Sequence, residues 1–131
     1  MVELHGWLTI RESYNTDDEN KNIHLIVRRI EERISILDWD TNLIDIRYCN
    51  GLPIVSIALF TNRVNEEVTD IFELLKFVCR EAKGTYGMIY MYNDESNEMP
   101  DEFKVYLVCK GEICEKRDEF LSPLMQKVYQ Y

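Results

Sequence analysis

The apolar residues of this chain switch between a spacing of two and a spacing of three to four, and the order of those switches restricts it to a mixed α+β fold. Leu4, Leu8 and Ile10 share one parity with Gly6 between them, and His5, Trp7, Thr9 and Arg11 take the other. That is the pattern of a half-buried strand. Asp17, Asp18 and Glu19 then put negative charge where a helix N-terminus favours it. Ile23, Ile26, Ile30, Ile34 and Leu37 follow along one helical face, predicting a helix over about 18–37. Strands are expected at Leu43–Cys49 and Leu52–Phe60, joined by Asn50-Gly51, a dipeptide suited to the positive φ values of a tight hairpin turn.

Asn65 is placed to cap a second helix over about 65–83, with Glu66 and Glu67 in its first turn. Val68, Ile71, Phe72, Leu75, Val78 and Cys79 form its apolar face, and Lys83-Gly84 suits a left-handed C-terminal cap. Tyr86–Tyr92 and Phe103–Cys109 read as further strands on either side of an acidic connection, 93–102. Lys110-Gly111-Glu112 reads as a turn, and Ser122-Pro123 opens a short C-terminal helix.

The order strand, helix, strand, strand, helix, strand matches the split βαβ arrangement of ferredoxin-like folds, with an extra C-terminal strand. The expectation is one domain over residues 1–131, since a chain of this length buries enough surface for a single core. Its architecture is expected to be a two-layer sandwich, an antiparallel-rich sheet of about five strands with both helices on one face. Another α+β strand order is the alternative. Ile26, Ile30, Ile34, Ile71, Leu75 and Val78 should supply much of the core.

Charge then narrows the function. Lys plus Arg number 15 against 24 Asp plus Glu, a net −9. A polyanion of this size is repelled by nucleic acid and by anionic membranes; a basic protein partner suits it better, and solubility alone is the other reading of the charge. No basic leader with an apolar run precedes the fold, no stretch approaches the roughly 20 apolar residues of a membrane helix, and the four cysteines are scattered. These features point to the cytoplasm and to reduced thiols.

Catalytic constellations are missing from the pattern. The chain has no nucleophile elbow and no phosphate-cradling glycine loop. Its histidines are His5, expected to pack against Trp7, and His24, beside the apolar stripe of the first helix. Cys109 and Cys114 stand four residues apart without a second ligand pair, so neither a metal nor a cofactor is expected.

Two surfaces remain as candidates for binding. Strand parity places His5, Trp7, Thr9 and Arg11, with Asp45, Arg47 and Ser56, on the sheet face opposite the helices, and Tyr90 and Tyr106 are candidates to join them. Such an aromatic platform stacks bases in RNA-recognition domains, but the net charge weighs against that use and for a protein interface. The other surface is the connection holding Asp94, Glu95, Glu98, Asp101 and Glu102, which crowds like charges on one loop and reads equally as a solvated hairpin connection.

Three stretches are together similar to the bacterial immunity protein 7 family: Glu3-Leu4-His5-Gly6-Trp7 with Thr9-Ile10, Lys83-Gly84-Thr85-Tyr86-Gly87-Met88-Ile89-Tyr90 followed by acidic residues, and Phe120-Leu121-Ser122-Pro123 preceded by Asp118-Glu119. The stretches lie near the start, middle and end, so the resemblance covers nearly the whole chain. Glu119 departs from it, at a position where the family pattern has proline. The resemblance implies an immunity protein of a polymorphic toxin system, which binds and neutralises a cognate toxin domain in the cytoplasm without catalysis. It implies that His5, Gly6, Trp7, Gly84, Tyr86, Gly87, Phe120, Leu121, Ser122 and Pro123 are motif residues holding the fold. The rival readings are a regulatory domain binding a small ligand on a ferredoxin-like scaffold and a small enzyme using His5 with an acidic partner.

Overall fold

A computed structural model of the protein describes residues 1–13, 21–37, 43–62, 64–96 and 101–129. In chain order its elements are β1 (Val2–Thr9), α1 (Ile23–Ser35), β2 (Leu43–Cys49), β3 (Leu52–Thr61), α2 (Glu66–Glu81), β4 (Tyr86–Asn93), β5 (Phe103–Cys109), β6 (Glu112–Arg117) and α3 (Ser122–Tyr129). The six strands make one open antiparallel sheet in the order β2-β3-β1-β4-β5-β6. The expected count of about five strands is therefore one short. The strand that was missed is β6, Glu-Ile-Cys-Glu-Lys-Arg, in which only Ile113 and Cys114 are apolar. Only Ile113 of this edge strand packs against the core, and it is half-buried, so one apolar position cannot set a strand period.

Two hairpins have turns whose central residues both have positive φ, Asn50-Gly51 (53° and 79°) and Lys110-Gly111 (52° and 75°). This is the mirror-image turn whose twist matches that of paired strands. The register carries the two faces of each strand across the whole sheet. One row runs Ile46, Val55, Leu8, Gly87, Val108, Ile113 and its neighbour runs Ile44, Ile57, Gly6, Ile89, Tyr106. The buried sides of α1 and α2 join these rows in one hydrophobic cluster, so both helices cover this face. Leu4, Leu8, Ile30, Leu59, Ile71, Leu75 and Ile89 are fully buried there. Each contributes on the order of 1.5–3 kcal/mol by leaving water. Ile34, expected in the core, is only half-buried at its margin, whereas Leu74 and Phe77 are buried and widen the apolar face of α2.

Helix α1 begins at Ile23, later than its charge pattern predicts. The acidic trio Asp17, Asp18 and Glu19 lies outside the described residues. The carboxylate at this helix start is instead that of Glu12, which accepts hydrogen bonds from the Asn22 backbone amide at 3.0 Å and side-chain amide at 3.1 Å. Helix α2 is capped as its sequence predicts: Asn65 Oδ1 accepts from the amides of Glu67 (3.0 Å) and Val68 (3.4 Å). Its far end differs, because Ala82 follows the helix and the left-handed glycines are Gly51 and Gly111. Gly84 serves a close approach instead. A Cβ there would strike the backbone of Ser13.

Candidate functional site

The second face of the sheet is where the surface candidates meet. Directly across the strands lie Asp45, Ser56, Trp7, Met88 and Leu107, and the next row holds Leu43, Ala58, His5, Tyr90 and Val105. Trp7 is 42% exposed, Tyr86 41% and Met88 37%, so three large side chains stand in solvent on neighbouring positions of β1 and β4. Trp7 and Tyr86 meet edge to face with ring centroids 6.1 Å apart. Phe60, 53% exposed, extends the strip along β3 and contacts the ring of His5 at 5.4 Å. On β2 the Asp45 and Arg47 side chains form an ion pair at 2.6 Å at the margin of the strip.

Two expectations for this face are corrected by the geometry, those for Tyr106 and Arg11. Tyr106 faces the helices, stacked edge to face on Phe72 at 4.8 Å. Burial, and then the neighbouring Glu115 carboxylate, push its hydroxyl pKa up to about 12. Arg11 lies beyond the end of β1 and is half-buried; its amide donates to Thr85 Oγ1 at 3.3 Å. Its Nε is buried without a hydrogen-bond partner among the described residues. His5 Nε2 lies 2.8 Å from Glu3 Oε1, and its ring meets that of Phe60 edge to face.

The acidic loop is less bare than its sequence suggests. Asp94 bonds the N-terminal ammonium of Met1 at 2.5 Å. Glu102 receives the Arg117 guanidinium on both oxygens, at 2.8 Å each from Nη2. Glu95 and Asp101 are exposed, and Glu98 lies outside the described residues. Among the described carboxylates of the loop, Asp94 and Glu102 already have a cation, which lowers the repulsion the spacing implies.

The motif residues sort by what they touch. Gly6 and Gly87 stand where β1 and β4 approach closely. A Cβ on Gly6 would meet Ile89 Cδ1 and come within 2.7 Å of the Met88 carbonyl, and one on Gly87 would strike the Trp7 carbonyl and lie 2.9 Å from Leu8 Cα. Ser122, fully inside the protein, joins the start of α3 to β5: its Oγ accepts from the Phe103 amide at 2.8 Å and donates to Asp118 Oδ2 at 2.8 Å. Asp118 also accepts from the amides of Phe120, Leu121 and Ser122. Burial opposes ionisation of this carboxyl, but these four hydrogen bonds outweigh it and hold the pKa below the ordinary value. Phe103 and Val105 lie on the face opposite the helices and are nevertheless buried, beside this C-terminal clasp. Phe120, by contrast, is 82% exposed.

Other chemistry is sparse. A groove of about 420 Å³ lies between α2 and the β5–β6 turn, lined by Lys76, Arg80 and Lys83 with Cys79, Gly111 and Ile113. The four cysteines are free thiols. No group of three His, Cys, Asp or Glu side chains among the described residues is arranged to hold a metal ion, and no described helix is long and apolar enough to cross a membrane. Met88, Phe60 and Tyr86 join the open face without having been expected there. Tyr86 and Met88 share the parity of Tyr90, and Phe60 that of Ser56, which is the signal the sequence holds.

No curated protein and no solved structure matches the chain. The family model for immunity protein 7 matches residues 1–130, so the chain belongs to the immunity protein 7 family.

Proposed function

We propose that this protein neutralises a cognate bacterial toxin domain of a polymorphic toxin system by binding it in the cytoplasm, without catalysis, through the open sheet face centred on Trp7. Membership of the immunity protein 7 family supports the toxin as partner. The observation that carries the choice of surface is the strip of Trp7, Tyr86 and Met88 on a sheet face that α1 and α2 leave to solvent. Aromatic side chains on a rigid sheet supply contact area with little entropy to lose, which is why they dominate interface energetics. Asp45 and Arg47 form a polar margin. The net charge of −9, to which the Asp94–Glu102 loop contributes, steers a basic toxin domain toward encounter. The same reading takes β1 to β4 with α1 and α2 as a ferredoxin-like unit, supported by the order β2-β3-β1-β4, to which β5 and β6 are added.

The test is titration of the toxin encoded beside this gene. Its activity should fall in proportion to added immunity protein and vanish at one chain per toxin. Inactivation by far less than one equivalent would mean that the protein acts catalytically.

A further inference from the structure

The two edges of the sheet are β2 and β6, and they are built differently. β6 carries Glu112, Glu115, Lys116 and Arg117 within a single short strand, a density of charge that discourages a further strand from pairing. β2, Leu43-Ile44-Asp45-Ile46-Arg47-Tyr48-Cys49, has one acid, one base and no proline. No described strand pairs with its outer side.

The hairpin shows which backbone groups of β2 are unused. Its two-residue turn, Asn50-Gly51, is closed by the pair Cys49 and Leu52, and in a turn of this kind that pair is hydrogen-bonded. Bonded pairs recur at every second residue. Arg47, Asp45 and Leu43 therefore turn their N–H and C=O groups toward β3, and Tyr48, Ile46 and Ile44 turn theirs outward. Read about Ile46, the strand is complementary to itself: Ile44 answers Tyr48, Asp45 answers Arg47 and Leu43 answers Cys49.

A two-fold axis through Ile46 would set it against Ile46 of a second copy as a hydrogen-bonded pair, with Ile44 and Tyr48 bonded on either side. Asp45 and Arg47 would fall in the closer, non-bonded pairs, each facing the opposite charge across the axis. Their side chains are 51% and 80% exposed, lie on one face of the strand and pair with each other at 2.6 Å, so dimerisation would exchange that pair within each copy for two pairs across the axis. On the other face Ile44 and Ile46 are half-buried at the margin of the core, and pairing would cover what remains of them. We propose that β2 is a homodimer edge, at which a second copy of this chain adds its own β2 antiparallel about Ile46 and joins the two sheets into one. Trp7 stays open on both copies, but Asp45 and Arg47 also border the proposed toxin surface, so the inference is tested on the protein alone.

The test is analytical ultracentrifugation of the protein alone over a range of concentrations, with circular dichroism to confirm folding. The wild type should show a concentration-dependent dimer. Arg47→Asp sets Asp against Asp, Asp45→Arg sets Arg against Arg, and each should weaken the dimer roughly tenfold or more. The double exchange Asp45→Arg with Arg47→Asp restores complementarity and should restore dimerisation. An equimolar mixture of the two single variants should form a heterodimer. A wild type that stays monomeric up to about 1 mM would overturn the proposal. So would single variants that dimerise as the wild type does, or a mixture that does not associate. A monomeric wild type whose single variants lose the toxin would assign the edge to a toxin strand instead and overturn it equally.

Discussion

Asp118 holds Ser122 twice, through the amide and the hydroxyl at 2.8 Å each, while Ser122 takes the amide of Phe103 at the start of β5. The Phe-Leu-Ser-Pro motif is in this way fastened to the sheet by a buried carboxylate one turn before it. Replacing Asp118 with Asn removes the charge that four donors share and should cost about 1.5–3 kcal/mol at neutral pH. The folded-state pKa lies below the unfolded value of 3.8, so this stability is fully present above about pH 3.8 and is lost as pH falls through the lower folded pKa. Chemical denaturation of both proteins across the acid range checks it. Their difference should shrink only below about pH 4.

Gly87 should tolerate no side chain. A Cβ there meets the Trp7 carbonyl and Leu8 Cα, both backbone, so β1 and β4 would have to part. Gly87→Ala should cost about 1–3 kcal/mol or more. Gly51→Ala has open space around it but a φ of 79°, and should cost about 1–2 kcal/mol for backbone strain alone. Thermal melts of the two variants separate the causes, since extra denaturing pressure on the β1–β4 pairing should also perturb the near-ultraviolet signal of Trp7 only in the first.

Leu75→Ala should cost roughly 2–5 kcal/mol, from lost transfer energy and the cavity left behind. Leu75 is fully buried among residues of α2 and the sheet. A denaturant midpoint shifted by an equivalent of less than about 1 kcal/mol would mean that the interior repacks around the site.

Legibility in the sequence followed periodicity. α2 could be read from Asn65 to Glu81 because its cap, its acidic first turn and its apolar face agree with one another. β6 was invisible because no face of it is buried enough to impose alternation. The parity of β1 placed Trp7 on the open face correctly, but the register that sets Met88 beside it depends on β4 pairing with β1, a contact more than 70 residues apart in sequence. The roles of Gly6, Gly84 and Gly87 were hidden for the same reason: each is required by a neighbour from elsewhere in the chain.

The acidic loop should govern association rate more than affinity. Neutralising Asp94, Glu95 and Glu98 together should slow binding of the toxin domain at low salt and flatten the salt dependence of the rate. Stability should fall by no more than about 1 kcal/mol, since the Met1–Asp94 pair is exposed. Stopped-flow association at two ionic strengths reads both effects.

The most direct test of the account is the dissociation constant of the toxin complex for Trp7→Ala, measured on protein shown to be folded. Trp7 is exposed enough that its loss should leave the fold intact. Removing the aromatic centre of an interface costs about 2 kcal/mol or more, so the dissociation constant should rise by about thirtyfold or more. A value within about threefold of the wild type would contradict the claim that the open sheet face binds the toxin.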